Sequence, residues 1–144
     1  MDRGFVMKSD GLLRILKTSC FVSESFDPAE GELACGRIEF EALWDTGAGT
    51  SLITQRIVNE CGLKPIRSSK LQSVSGVQKT EVYLINVYLP GNVLFCKIPA
   101  VRGDFSHGRW DMIIGMDIIG IGDFLVRNRN STTEFSFTVR EALQ

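Results

Sequence analysis

An alternating segment that runs into a glycine turn is the feature that most constrains the fold of this 144-residue chain. Residues 37–43 alternate between polar and apolar side chains, which predicts a half-buried β-strand. The turn Asp45-Thr46-Gly47-Ala48-Gly49 follows directly after Trp44. Because glycine permits backbone angles that other residues avoid, we expect a tight turn that presents the Asp45 carboxylate at the strand end. This placement indicates acid–base chemistry.

The turn occurs only once in the chain, and this limits what one chain can do. Activating a water for amide hydrolysis with carboxylates alone needs two of them that share one proton. The lone copy therefore predicts that a second chain completes the site.

Composition and charge argue against several other classes of protein. With 44% hydrophobic and 23% charged residues, the chain suits one globular domain, and its net charge of -1 argues against a nucleic-acid partner. No apolar stretch approaches the roughly 18 residues that span a membrane. Residues 1–8 lack the continuous apolar segment of a secretory signal. We therefore expect a cytoplasmic protein with neither a membrane nor a nucleic acid as a partner.

Rival catalytic and metal sites have little support in the sequence. His107 is the only histidine, which excludes a His-rich metal site, and its loop, residues 103–108, has no nucleophile elbow for a Ser-His-Asp triad. The four cysteines contain no C-x-x-C pair, so buried free thiols are the better interpretation. We expect neither a metal nor a cofactor.

The pattern along the chain predicts a mostly β protein. Residues 1–10 carry little periodic signal and are expected to be a flexible tail, and residues 11–144 form the predicted domain. Residues 23–32 read as a polar loop. Short helices are predicted over residues 55–61 and 116–119. Further strands are predicted over these residues: 12–18, 37–43, 71–74, 81–89, 93–98, 112–114, 124–126 and 135–139.

Two segments together resemble the retropepsin-like aspartic proteases. They are residues 42–51, which contain the Asp45 turn, and residues 112–117, where two isoleucines precede Gly115. That family pairs an apolar-Asp-Ser/Thr-Gly-Ala/Ser turn with a later apolar-apolar-glycine segment beside it. The resemblance spans residues 33–127 and implies an all-β fold, a small closed acid-protease β-barrel with one or two short helices. It also implies that the chain functions as a homodimer without a cofactor.

The resemblance implies roles for individual residues. Asp45 resembles the catalytic carboxylate, Thr46 the residue whose hydroxyl braces the turn across the dimer, and Gly47 the glycine that offers backbone contacts to substrate. Ala48 completes this active-site turn. The supporting glycine segment comprises Ile113, Ile114 and Gly115. The flap that closes over a bound peptide is similar in position to Ser73, Val74, Ser75, Gly76, Val77 and Gln78.

This sequence also departs from the viral pattern. Viral members usually place an acidic residue shortly after the turn and an arginine directly after the later glycine. Here those positions hold Gly49, Thr50 and Met116, and Asp117 follows. The pattern is closer to the non-viral members, so we expect a dimer contact of a different type.

The resemblance predicts an aspartic endopeptidase that hydrolyses an extended peptide or protein substrate with one Asp45 from each subunit. A catalytically silent module that dimerises or binds peptides through the same fold is the alternative. An intact Asp-Thr-Gly turn favours the enzyme, since binding alone would tolerate other residues at position 45. Maturation from a larger precursor, with part of residues 1–32 as a regulatory segment, is a third and weaker possibility.

Overall fold

The computed structural model describes residues 2–27, 36–105 and 108–140. In these residues the chain is mostly β, with the following elements: β1 Arg3–Lys8, β2 Lys17–Glu24, β3 Ile38–Trp44, β4 Leu52–Ile53, α1 Gln55–Glu60, β5 Arg67–Ser73, β6 Gly76–Leu89, β7 Val93–Arg102, β8 Met112–Ile114, α2 Met116–Ile119, β9 Asp123–Arg129 and β10 Thr132–Val139. The predicted β class with short helices is confirmed. His107 and part of the predicted loop over residues 23–32 lie outside the described residues.

Six strands close into a barrel, as the sequence predicts. Neighbouring strands pair in the order β2-β3-β8-β4-β7-β6, and β6 pairs again with β2 to complete the ring. β5 lies outside this ring and pairs with β6 as the outer strand of a long hairpin. Closure leaves no unpaired edge within the ring.

The strand that carries the turn lies beside the strand that precedes Gly115. β3 and β8 pair in parallel, with Trp44 opposite Ile114. The backbone N–H of Asp45 continues this pairing by donating to the carbonyl oxygen of Ile114 at 2.9 Å. Since both strands run in the same direction and end in register, Asp45 and Gly115 leave the sheet side by side.

A separate antiparallel sheet, in the order β1-β10-β9, joins the two ends of the described chain. The sequence predicts a flexible tail over residues 1–10, and this is wrong for Arg3–Lys8, which pair with β10 along their whole length. The partner strand, Thr132–Val139, lies at the far end of the chain, so no hairpin signal marks β1.

The strand predicted over residues 12–18 begins later than expected, because β2 starts only at Lys17 and runs to Glu24, so Ser23 and Glu24 belong to this strand and not to the predicted loop. The preceding residues bond to the β9–β10 hairpin instead. The backbone N–H of Leu13 donates to Oγ1 of Thr133 at 2.8 Å, and the N–H of Thr133 donates to the carbonyl oxygen of Gly11 at 3.2 Å. The segment therefore links the barrel to the terminal sheet.

An aromatic cluster packs the terminal sheet against the strand that leads to Asp45. The ring of Trp44 stacks on Phe124 with centroids 5.3 Å apart, and it lies 5.5 Å from Phe5 and 5.1 Å from Phe137. Its indole N–H donates to Oγ1 of Thr18 at 3.0 Å, so the buried polar atom is satisfied. The residue before Asp45 is thus held by core packing.

Both predicted helices are present. α1 ends before Gly62, whose φ of +63° is typical of the residue that terminates a helix, and α2 covers the predicted residues 116–119. Neither is long and apolar enough to cross a membrane, nor is any other helix in the described part of the chain.

Candidate active site

Asp45 lies at the end of β3 with a half-buried side chain. Its Oδ1 accepts a hydrogen bond of 2.8 Å from the backbone N–H of Gly47, and the N–H of Ala48 donates to its carbonyl oxygen at 3.2 Å. The turn therefore closes on Asp45 itself. Among the described residues this carboxylate has no ion pair and no other hydrogen bond, so Oδ2 is available to a second group.

The rest of the turn faces solvent. Thr46 and Gly47 are exposed, and Ala48 is half-buried. A Cβ on Gly47 would lie 3.1 Å from Oδ1 of Asp45, so glycine leaves room for the carboxylate at this position. The Thr46 hydroxyl makes no hydrogen bond within the described residues. The brace across a dimer that the resemblance implies for Thr46 stays a prediction.

Gly115 lies directly beneath the turn. A Cβ on it would be 2.7 Å from the carbonyl oxygen of Ala48 and 2.9 Å from the carbonyl carbon and oxygen of Thr50, so only glycine fits between the two segments. The N–H of Met116 donates to the same Ala48 oxygen at 2.7 Å. The supporting segment that the sequence predicts therefore contacts the turn, with Ile114 fully buried and Ile113 half-buried behind it.

The six residues predicted as the flap lie at the tip of the β5–β6 hairpin. Ser73 pairs with Gly76 across a turn made by Val74 and Ser75, and Gly76 has a φ of +118°. The side chains of Val74 and Val77 are exposed, as is Gln78. The tip thus presents apolar surface to solvent at the end of a two-stranded arm, and its role as a flap stays a prediction.

Other reactive groups have properties that disfavour chemistry. Burial raises the pKa of the Cys20 thiol to about 12, and its side chain is only 1% exposed. A thiol in this state is neutral at physiological pH and is not a nucleophile. The described residues contain no group of three or more His, Cys, Asp or Glu side chains arranged to hold a metal.

Sequence reasoning missed one pair of residues at this site, Ser51 and Asp117. The Ser51 hydroxyl donates to Oδ1 of Asp117 at 2.7 Å across 66 positions of sequence. Asp117 stands out in the sequence only as a departure from the viral pattern, and nothing local to Ser51 marks it. Pairing of this kind depends on the parallel contact of β3 with β8.

Comparison with known proteins supports the same family. The aspartyl protease family model matches residues 29–118, more than half of the chain. No curated protein matches the sequence.

Two solved structures share the fold over most of the chain. A retropepsin-like aspartic protease from Rickettsia conorii superposes with a TM-score of 0.57 at 11% identity, covering 97% of each chain. EIAV protease, in complex with the inhibitor HBY-793, superposes with a TM-score of 0.55 at 19% identity, covering 78% of this chain and 91% of its own. At these identities the likeness shows the fold alone. Together with the family match, it confirms the resemblance read from the two segments: the chain belongs to the aspartyl protease family and has the retropepsin-like fold.

Proposed function

We propose that this protein is an aspartic endopeptidase whose active site forms between two copies of the chain, each supplying Asp45. The observation that carries the proposal is the half-buried Asp45 carboxylate, held by its own turn above Gly115 and exposed to a second group through Oδ2. One carboxylate on such a turn is half of a two-carboxylate site. A second copy is the simplest source of the other half.

The proposed mechanism needs only the two carboxylates and a water. Two carboxyl groups within about 3 Å cannot both ionise, so the pair holds one proton. The ionised group takes a proton from water while the water oxygen attacks the peptide carbonyl carbon, and the protonated group donates its proton to the carbonyl oxygen. The tetrahedral intermediate then collapses: the carboxyl group that took the water proton gives it to the departing amine nitrogen, and the other carboxylate takes a proton from a hydroxyl of the intermediate. The peptide bond breaks, and the pair again holds one proton.

The exposed hairpin tip is the proposed cover of the site. An extended peptide binds as a β-strand between this tip and the catalytic floor, with main-chain hydrogen bonds for affinity and side-chain pockets for specificity. Val74 and Val77 are both exposed to solvent, and they are apolar surfaces that such a peptide would cover. Gly76, with its positive φ, gives the tip a backbone hinge.

The direct test is hydrolysis of a diverse peptide library by wild type, Asp45→Asn and Asp123→Asn. Asn is nearly isosteric with Asp, so we expect Asp45→Asn to fold normally and to lose hydrolysis. Asp123 is exposed on β9, and its Asn variant is the matched control with activity retained. Undiminished hydrolysis by Asp45→Asn would disprove the assignment.

A mixing experiment tests whether two copies share one site. The amount of wild type is kept constant while Asp45→Asn is added. If each active unit needs two Asp45 carboxylates, an equal amount of the variant leaves, after subunit exchange, about half of the activity of that wild type alone. A ninefold excess of the variant leaves about one tenth. A site complete in one chain would show no loss in either mixture.

A catalytically silent module would give another result. Wild type would then bind peptides or a statine-type transition-state mimic without cleaving any member of the library, and Asp45→Asn would bind equally well. That outcome would replace the proposed enzyme by the binding alternative.

A further inference from the structure

The side chain of Asp117 accepts hydrogen bonds from Ser51, which follows the active-site turn, and from its own neighbour Ile118. Its Oδ2 accepts the backbone N–H of Ser51 at 2.9 Å, and its Oδ1 accepts the Ser51 hydroxyl at 2.7 Å. The N–H of Ile118 also donates to Oδ1, at 3.0 Å. Three hydrogen bonds to one carboxylate are charge-assisted and stronger than neutral ones. Within the described residues this carboxylate has no ion-pair partner.

Ser51 links Asp117 to Gly115, the glycine beneath the turn. Its hydroxyl donates to Asp117 and at the same time accepts the backbone N–H of Gly115 at 3.1 Å. The Ser51 side chain is fully buried, so water cannot replace either contact without a rearrangement. Loss of the hydroxyl would leave a buried N–H without an acceptor, which is costly.

These contacts fix one end of a short segment whose other end is Asp45. The Asp45 end is tied to β8 by the bond from its N–H to Ile114, and the middle is tied by the bond from Met116 to Ala48. The Ser51 end is held by its hydrogen bonds to the Asp117 carboxylate and by the bond from the N–H of Gly115 to the Ser51 hydroxyl. If these hydrogen bonds are lost, the Ser51 end can move. The turn then keeps its bonds at Ile114 and Ala48 but can shift between them, so the Asp45 carboxylate can move as well.

We propose that Ser51 and Asp117 are positioning residues that set where Asp45 presents its carboxylate to substrate and to the second copy. The role rests on the proposed function, because it is defined by what it does for hydrolysis at Asp45. Neither residue touches the reacting atoms. Catalytic rate is very sensitive to the placement of a reacting group, and a shift of about 1 Å can cost roughly 100-fold.

The kinetic test compares wild type with Ser51→Ala and Asp117→Asn. Ser51→Ala removes one hydroxyl, and Asp117→Asn replaces one acceptor oxygen with an NH₂ group that faces the Ser51 N–H or hydroxyl. We expect kcat per titrated active site to fall roughly 10- to 100-fold in each, with KM changed by less than threefold. Titration with a statine-type inhibitor counts the folded, competent sites. A merely structural role would lower that count and leave kcat per site unchanged, and this result would overturn the proposal.

Thr54→Val is the matched control for Ser51→Ala. Thr54 is also buried, and its hydroxyl also donates to an aspartate, Oδ1 of Asp111, at 3.0 Å. Its partner lies outside the turn, so its loss removes a comparable hydrogen bond without releasing Ser51. We expect kcat per site to stay within twofold of wild type. A fall equal to that of Ser51→Ala would attribute the effect to general destabilisation and would overturn the positioning role.

A second readout does not depend on hydrolysis. The N–H of Gly47 donates to Oδ1 of Asp45, so its hydrogen exchange, followed by NMR, reports how well the carboxylate is held. We expect Gly47 exchange to accelerate at least tenfold in Ser51→Ala and Asp117→Asn and to stay unchanged in Thr54→Val. If wild type cleaves no peptide, the proposed function fails, and this measurement still decides the inference. Unchanged exchange in both variants would contradict it.

Discussion

Replacing Gly115 with alanine would place a methyl group inside the contact between the turn and β8. The new Cβ would lie 2.7 Å from the carbonyl oxygen of Ala48 and 2.9 Å from the carbonyl carbon and oxygen of Thr50, whereas ordinary contacts begin near 3.4 Å. All three atoms belong to the backbone and cannot rotate away. Overpacking of this kind costs about 1–3 kcal/mol, and three simultaneous backbone clashes place Gly115→Ala at the upper end, about 3 kcal/mol.

Two glycines of the turn itself, Gly47 and Gly49, serve as controls in which the new Cβ meets less than it does at Gly115. A Cβ on Gly49 would meet nothing within 4 Å, so Gly49→Ala should change stability by no more than about 1 kcal/mol. A Cβ on Gly47 would lie 3.1 Å from Oδ1 of Asp45, a side-chain atom. Gly47→Ala should therefore cost less stability than Gly115→Ala, while displacing the Asp45 carboxylate and lowering hydrolysis.

The assay is urea unfolding of the four proteins under one set of conditions. Equal m-values with a lower midpoint would show that the native state itself is destabilised. We expect the free energy of unfolding to rank wild type and Gly49→Ala together, Gly47→Ala lower and Gly115→Ala lowest. Equal stability of Gly115→Ala and Gly49→Ala would refute the reasoning, because the two differ only in what the new Cβ meets.

Three further predictions concern the core, the buried thiol and a hairpin turn. Thr18→Val removes the acceptor of the Trp44 indole N–H and should lower the free energy of unfolding by about 1–3 kcal/mol, whereas an unchanged urea midpoint would count against that bond. The Cys20 pKa is raised by burial from an ordinary value of 9.0 to about 12, so its contribution to stability is fully present below pH 9 and is lost as pH rises toward 12. Between pH 8 and 10 this loss is about 1.4 kcal/mol, and Cys20→Ala should lose correspondingly less stability over that interval in paired urea titrations. Asn130 and Ser131 both have positive φ, 52° and 60°, in the β9–β10 turn, so Ser131→Gly should raise stability by about 1 kcal/mol, measured as a higher thermal midpoint, and a lower midpoint would contradict it.

Much of the barrel could be predicted from the sequence because its strands carry local signals. Alternation marks β3, and the isoleucine pair before Gly115 marks β8. The two helices have clear ends in glycine. The family resemblance adds one long-range contact, the placement of the Gly115 segment beside the Asp45 turn, whereas the order of the other strands is not predicted.

The terminal sheet and the hydrogen bonds between Ser51 and Asp117 could not be predicted in this way. β1 depends on pairing with Thr132–Val139, so its own residues hold no turn or hairpin signal. The contact of Ser51 with Asp117 likewise joins residues 66 positions apart. Local patterns report which residues favour a strand or a turn, whereas these features depend on which distant backbone lies alongside.

The parallel pairing of β3 with β8 also bears on the second copy of the chain that the proposed function requires. It brings one aspartate turn, which occurs once in the sequence, to the glycine segment that ends in Gly115. At this same end of the two strands the Thr46 hydroxyl has no partner among the described residues. Met116, which follows Gly115, leaves 42% of its apolar side chain exposed. The proposed second copy, if it covers this edge, would bond to the Thr46 hydroxyl and bury Met116. Met116 would then make by apolar packing the contact for which the family resemblance implies an arginine in viral members.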